Sequence, residues 1–163
     1  MSLTAICYLL VYFGGLLRAL FGKPIFGLYA YLFAFYLHPP ARWWGGDLPD
    51  IRWSLIAALV TFISIFIYSK GEKKIWLGFV ENKYFTIFAL YVVLQTFWAI
   101  NPEIHKDYVF LVIKFLMLIF IMQNAIRTER DLIGVIAVNL LGVCYFAYLG
   151  LTEHSGGRLE GIG

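Results

Sequence analysis

Long apolar runs separated by short polar gaps fill almost the whole of this chain. The runs lie near Leu3–Phe21, Pro24–Leu37, Ser54–Tyr68, Tyr84–Ile100, Tyr108–Ile126 and Leu132–Leu151. None alternates polar and apolar positions in the way a membrane barrel strand must; the stretch LIAALVTFISIFIY is typical. Continuous apolar runs of this length predict α-helices, because only a helix satisfies its own backbone in hydrocarbon. A crossing takes about 20 apolar residues. The second run is shorter, so it either crosses with local thinning or tilt, or forms one arm of a re-entrant hairpin. The expectation is an all-α polytopic transmembrane bundle of about six segments over residues 1–151, followed by an outer tail, 152–163.

Composition sharpens this picture. Of the 163 residues, 61% are hydrophobic and only 14% charged, and the mean hydropathy is +0.78. A soluble domain of this size keeps too much of its chain at the surface to hide that much apolar area. The first run has no basic segment before it and no small-residue cleavage pattern after it, so it does not read as a signal peptide. Cys7 and Cys144 both lie inside apolar runs and show no disulfide or metal spacing. The net charge of +3 is spread over the gaps, which excludes a nucleic-acid face. No internal repeat and no separate soluble module is visible.

The gaps set an orientation. Arg18, Lys23, Lys70, Lys73, Lys74, Lys83, Arg127 and Arg130 fall on one side. Arg42, Arg52, Lys106 and Arg158 fall on the other, mixed with Asp47, Asp50, Glu103 and Asp107. The positive-inside rule puts the first set in the cytoplasm and both chain ends outside. Trp43, Trp44, Trp53 and Trp98 flank the outer gaps. They read as interfacial anchors, with an aromatic platform for a sugar or a polyprenyl chain as the alternative.

Lys114 is the ionisable residue placed within a run, about seven residues past Asp107 and so about 10 Å below the outer end of that run. Such a residue usually faces the bundle interior or a wet cavity. Two readings stay open: a snorkelling or structurally paired lysine, and a binding residue for an anionic substrate. Gln95 lies at similar depth. Asn139 and Thr96 fit hydrogen bonds between helices, Arg18 snorkels at the inner end of the first run, and Gln123 and Asn124 need no function.

Three outer gaps carry candidate chemistry. HPPARWWGGDLPDIR holds enough proline and glycine to end a helix. NPEIHKD opens on Asn-Pro, a turn initiator, and the tail TEHSGGRLEGIG is rich in glycine. All three histidines, His38, His105 and His154, fall on the outer side, with no spacing that suggests a metal site. Any one could act as a general base, and the residues alone do not select it. GxSxG, Walker, HExxH and CxxC patterns are missing, and no Asp or Glu sits mid-run. No cofactor is called for.

The order of these pieces resembles the opening of the O-antigen ligase and polymerase superfamily, nearest its exosortase-associated O-glycosylation ligase branch. The carrying segments are KPIFGLYAYLFAFYLHPPARWWGGDLPDIRWSLIAALVTF, NPEIHKDYVFLVIKFLMLIF and GGRLEGIG. The resemblance implies a glycosyltransferase of the bacterial inner membrane. It would pass a glycan from undecaprenyl pyrophosphate to an acceptor on the periplasmic face. It also implies that Arg158, in the Gly-Arg stretch, and Lys114, the span lysine, meet the pyrophosphate, with Arg42 and Arg52 as weaker candidates. Arginine suits that role because its guanidinium can hold a phosphate by two hydrogen bonds at once. In this family further spans and a catalytic histidine follow the Gly-Arg stretch, so the chain is expected to be the front part of such an enzyme, with its base outside it. Two other readings remain: a non-catalytic membrane subunit or scaffold working with a membrane-protein partner, and a small transporter.

Overall fold

The computed structural model describes residues 2–42, 44–68, 76 and 79–152, and every regular element among them is helical. Each helix begins and ends for a local reason. In α1, Leu3–Phe21, the Ser2 hydroxyl accepts the Ala5 N–H at 3.3 Å. Helix α2, Ile25–Leu37, stops where Pro39 excludes right-handed helical backbone at His38. After two 3-10 turns, Pro39–Ala41 and Gly45–Asp47, comes α3, Trp53–Tyr68. Helix α4, Val80–Leu94, tightens into a 3-10 turn at Gln95–Phe97.

Helix α5, Pro102–Ala125, has Asn101 as its cap, accepting the Ile104 N–H, with Pro102 in the first position. Helix α6, Glu129–Thr152, opens on a reciprocal capping box. The Asp131 carboxylate accepts the Thr128 N–H at 3.0 Å, and the Thr128 hydroxyl accepts the Asp131 N–H at 3.2 Å.

Polar starts therefore lengthen two helices beyond their apolar runs. The NPEIHKD stretch, expected as a turn, is helical from Pro102 onward. Lys114 is consequently twelve residues inside α5, about 18 Å from its first residue, and not the shorter distance counted from the apolar run. At α4 the helix sits further toward the N-terminus than the run Tyr84–Ile100.

Three helices are long and apolar enough to cross a membrane: Leu3–Phe21, Pro102–Ala125 and Glu129–Leu151. The remaining three have 13, 16 and 15 residues, short of the usual crossing length. Leu132, Ile133, Ile136, Leu140 and Leu141 on α6, and Leu10, Phe13 and Leu17 on α1, all lie exposed. Apolar faces of that extent suit lipid and not water.

Helix α2 is central, packed on by α1, α3, α5 and α6, and small residues let the backbones meet. A Cβ on Gly15 would stand 3.2 Å from that of Ala30, and one on Gly27 would collide with the Thr61 hydroxyl. The Ser64 hydroxyl donates to the Ala19 carbonyl at 2.5 Å, tying α3 to α1. Helix α6 offers Gly134 and Gly142 as seats for the rings of Tyr29 and Tyr36. Tyr36 also donates to Asn139 Oδ1 at 2.7 Å, which realises the inter-helix role expected of Asn139. Thr96 makes no side-chain hydrogen bond among the described residues. Gln123, expected to be idle, forms a two-way amide pair with buried Asn82 at 2.8 and 2.9 Å, joining α5 to α4.

The tryptophans correct an expectation. Trp44 and Trp53 are 5% and 4% exposed. Instead of anchoring in headgroups, they close an aromatic cluster with Tyr8, Tyr12 and Phe33. Tyr12 donates to the Trp53 carbonyl at 2.6 Å and so fixes the start of α3. Trp98 is 62% exposed, as an interfacial ring would be. Trp43 lies outside the described residues, as do Lys70, Lys73, Lys74 and His154.

Candidate functional site

The connection between α2 and α3 folds over the end of the bundle by a chain of short turns. Ala41 N–H bonds the His38 carbonyl, Arg42 N–H bonds Pro39, Gly45 N–H bonds Arg42 and Leu48 N–H bonds Gly45, all within 2.8–3.0 Å. Gly45 is required there, since any side chain would run into the Pro39 carbonyl. The Arg42 side chain reaches back to the end of α2, its Nε donating to the Leu37 carbonyl at 3.1 Å. That bond satisfies one of the carbonyls a helix end leaves open.

Beneath this connection lies a cavity of about 450 Å³, walled by α2, α3 and α5. Its mouth carries four ionisable side chains: His38, Asp50, Arg52 and Lys114. Its inner wall is apolar, formed by Tyr31, Ala34, Leu55, Ala58, Met117, Leu118 and Ile121. Two cations against one carboxylate leave the mouth positive. None of the four side chains has a hydrogen bond or ion pair with another described residue, so their charges are open to a ligand. A polar rim over an apolar shaft is the usual form of a site for an amphiphilic small molecule.

Lys114 reaches this rim because α5 outruns α3. The start of α3, at Trp53, lines the same cavity as Lys114, and a little over three turns of α5 continue beyond that level. The lysine thus lines the same cavity as His38 and Arg52 and lies exposed there.

The four residues singled out for an anion divide. Arg52 and Lys114, 62 positions apart in sequence, come together at the rim. Arg42 is turned elsewhere, with its guanidinium 5.3 Å from the centroid of Tyr145 on α6, and it does not line the cavity. Arg158 lies outside the described residues. Arg18, expected to snorkel, stacks over Phe26 at 4.3 Å.

His38 and Asp50 also join the site; the sequence offers His38 only as one of three possible general bases, and Asp50 only as a charge of the outer gaps. A His-Pro-Pro stop directly after an apolar helix was the available signal for the first. His105 is occupied elsewhere, its Nε2 lying 2.9 Å from the Val92 carbonyl. A second, shallower hollow lies beside it, lined by Gln95, Trp98, Asn101 and Tyr108 among others. Among the described residues no three His, Cys, Asp or Glu side chains converge as a metal site.

No protein-family profile, no curated protein sequence and no solved structure matches this chain.

Proposed function

We propose that this chain is the membrane portion of a glycosyltransferase of the O-antigen ligase kind, and that the cavity under the α2–α3 connection receives the head of its lipid-linked donor. In this reading the chain lies in a bacterial inner membrane, crosses it about six times, and opens the cavity on the periplasmic side. Undecaprenyl pyrophosphate carries the glycan. Its two phosphates sit between Arg52 and Lys114, and the first part of its prenyl chain runs along Tyr31, Leu55, Met117 and Leu118. As the glycan leaves, negative charge grows on the pyrophosphate, and fixed cations in a site with apolar walls lower the energy of that charge. Arg158 lies in this chain outside the described residues, and the general base is contributed by the same polypeptide or a membrane partner.

One observation supports this reading above the rest: Arg52 and Lys114, distant in sequence and without a partner among the described residues, line one cavity with an apolar wall. A solvated loop arginine and a snorkelling lysine have no reason to meet there. The test is glycan transfer in the native host by Lys114→Ala and Arg52→Ala, with the amount of protein in the membrane measured alongside. Each variant is expected to lose at least tenfold in transfer at normal abundance, since a hydrogen bond to a charged group contributes about 1.5–3 kcal/mol. Unchanged transfer by both variants would remove the cavity from the reaction.

A further inference from the structure

His38 is the single non-glycine residue with a positive φ among the described residues, at φ 39° and ψ 70°. The left-handed position just past a helix end is ordinarily taken by glycine. A residue with a Cβ pays about 1 kcal/mol or more to stand there. Helix termination does not need that cost to be met by histidine, because Pro39 alone already stops α2.

The conformation is held from several sides. The His38 N–H bonds the Ala34 carbonyl at 3.1 Å, its carbonyl accepts from Ala41, and Pro39 beside it is buried. It also brings His38 to the cavity rim beside Arg52 and Lys114. Its imidazole bonds to no described residue. A strained position occupied by a polar side chain with no partner, beside two cations, is best explained by what that side chain contacts when the cavity is filled.

From this we infer that His38 is a ligand-contacting residue: its imidazole N–H completes, with the Arg52 guanidinium and the Lys114 ammonium, a three-donor set for the oxyanion head of a lipid. This rests on the reading of the cavity given above and adds to it the residue that backbone strain was spent to place. Asp50 stands on the same rim. It leaves room for an anion only because three donors face it, and it favours a ligand whose own hydroxyls can bond a carboxylate.

The experiment uses the whole chain in phosphatidylcholine nanodiscs, titrated with geranylgeranyl pyrophosphate. Inorganic pyrophosphate and discs doped with phosphatidylglycerol form separate arms. His38→Gly fits the left-handed backbone without cost. It is expected to melt about 2–4 °C higher and to bind geranylgeranyl pyrophosphate about ten- to a hundredfold more weakly. His38→Asn tolerates the same backbone and keeps a donor, and is expected to retain most of the binding.

His38→Gly binding like the parent while Lys114→Ala does not would overturn the role of His38 and leave the cavity reading standing. His38→Gly losing both binding and thermal stability would make the residue structural and equally overturn the inference. A parent that prefers none of the three anions would overturn the cavity reading and this inference with it. Equal affinity for inorganic pyrophosphate, lost in His38→Gly, would support the oxyanion contact while assigning it to a free anion.

Discussion

Tyr8 and Tyr12 stand one turn apart on α1, 3% and 0% exposed, with their rings stacked at 5.7 Å. Replacing either by phenylalanine deletes one oxygen and leaves the ring. The two deletions are expected to act with opposite sign. The Tyr12 hydroxyl donates to the Trp53 carbonyl at 2.6 Å, so Tyr12→Phe removes a hydrogen bond between α1 and α3, while that carbonyl keeps its bond within α3. A net intramolecular hydrogen bond contributes about 0.5–1.5 kcal/mol, and those between helices in membranes measure nearer 0.6 kcal/mol on average. About 0.5–1.5 kcal/mol of destabilisation follows, roughly a two- to twelvefold change in the folded-to-unfolded ratio. The Tyr8 hydroxyl is buried with no hydrogen-bond partner among the described residues. Tyr8→Phe removes that uncompensated group and is expected to be neutral or to stabilise by up to about 1 kcal/mol. Reversible unfolding in mixed micelles, titrated with sodium dodecyl sulfate and followed by tryptophan fluorescence, resolves the difference. Equal destabilisation by both substitutions would refute the reasoning, because it would require a partner for Tyr8 that the packing does not provide.

Two further outcomes are expected in the same assay. Gly142→Val puts methyl groups where the Tyr36 ring sits and is expected to cost about 1–3 kcal/mol by overpacking, with an α2–α6 cysteine cross-link lost in parallel; normal cross-linking would show that the ring has another place to go. Asn82→Ala and Gln123→Ala each break the two-way amide pair between α4 and α5, and their double-mutant cycle is expected to show about 1 kcal/mol of coupling, with strict additivity counting against the pair.

The helices were legible because lipid-compatible runs leave few alternatives: the runs Leu3–Phe21 and Pro24–Leu37 coincide almost residue for residue with α1 and α2. The starts of α5 and α6 were not, since Asn101, Pro102, Thr128 and Asp131 are polar residues whose capping role shows only when the N–H groups they accept are in place. Hydropathy also misplaced Trp44 and Trp53. A tryptophan beside a predicted span has the same local sequence whether it faces headgroups or a neighbouring ring, and only Tyr8 and Tyr12 on another helix decide the matter. Lys114 stands out in sequence as an ionisable residue within an apolar run, but its depth depended on how far α5 overhangs α3, a relation between two helices. Arg52 and Arg42 look alike in sequence. Ten positions of chain separate a guanidinium at the cavity rim from one that closes a helix end and lies near Tyr145.

The shortness of α2 has a consequence for the membrane around it. With 13 residues, α2 spans about 20 Å, against a hydrocarbon layer of about 30 Å. Helices on four sides relieve it of matching that layer. Changes in lipid chain length would press first on the long helices α1, α5 and α6, which can answer by tilting, while α2, which carries Tyr31 and Ala34 of the cavity, is largely screened by its neighbours, with Phe35 as its exposed large side chain. The cavity wall on α2 would then keep its shape in membranes of different thickness.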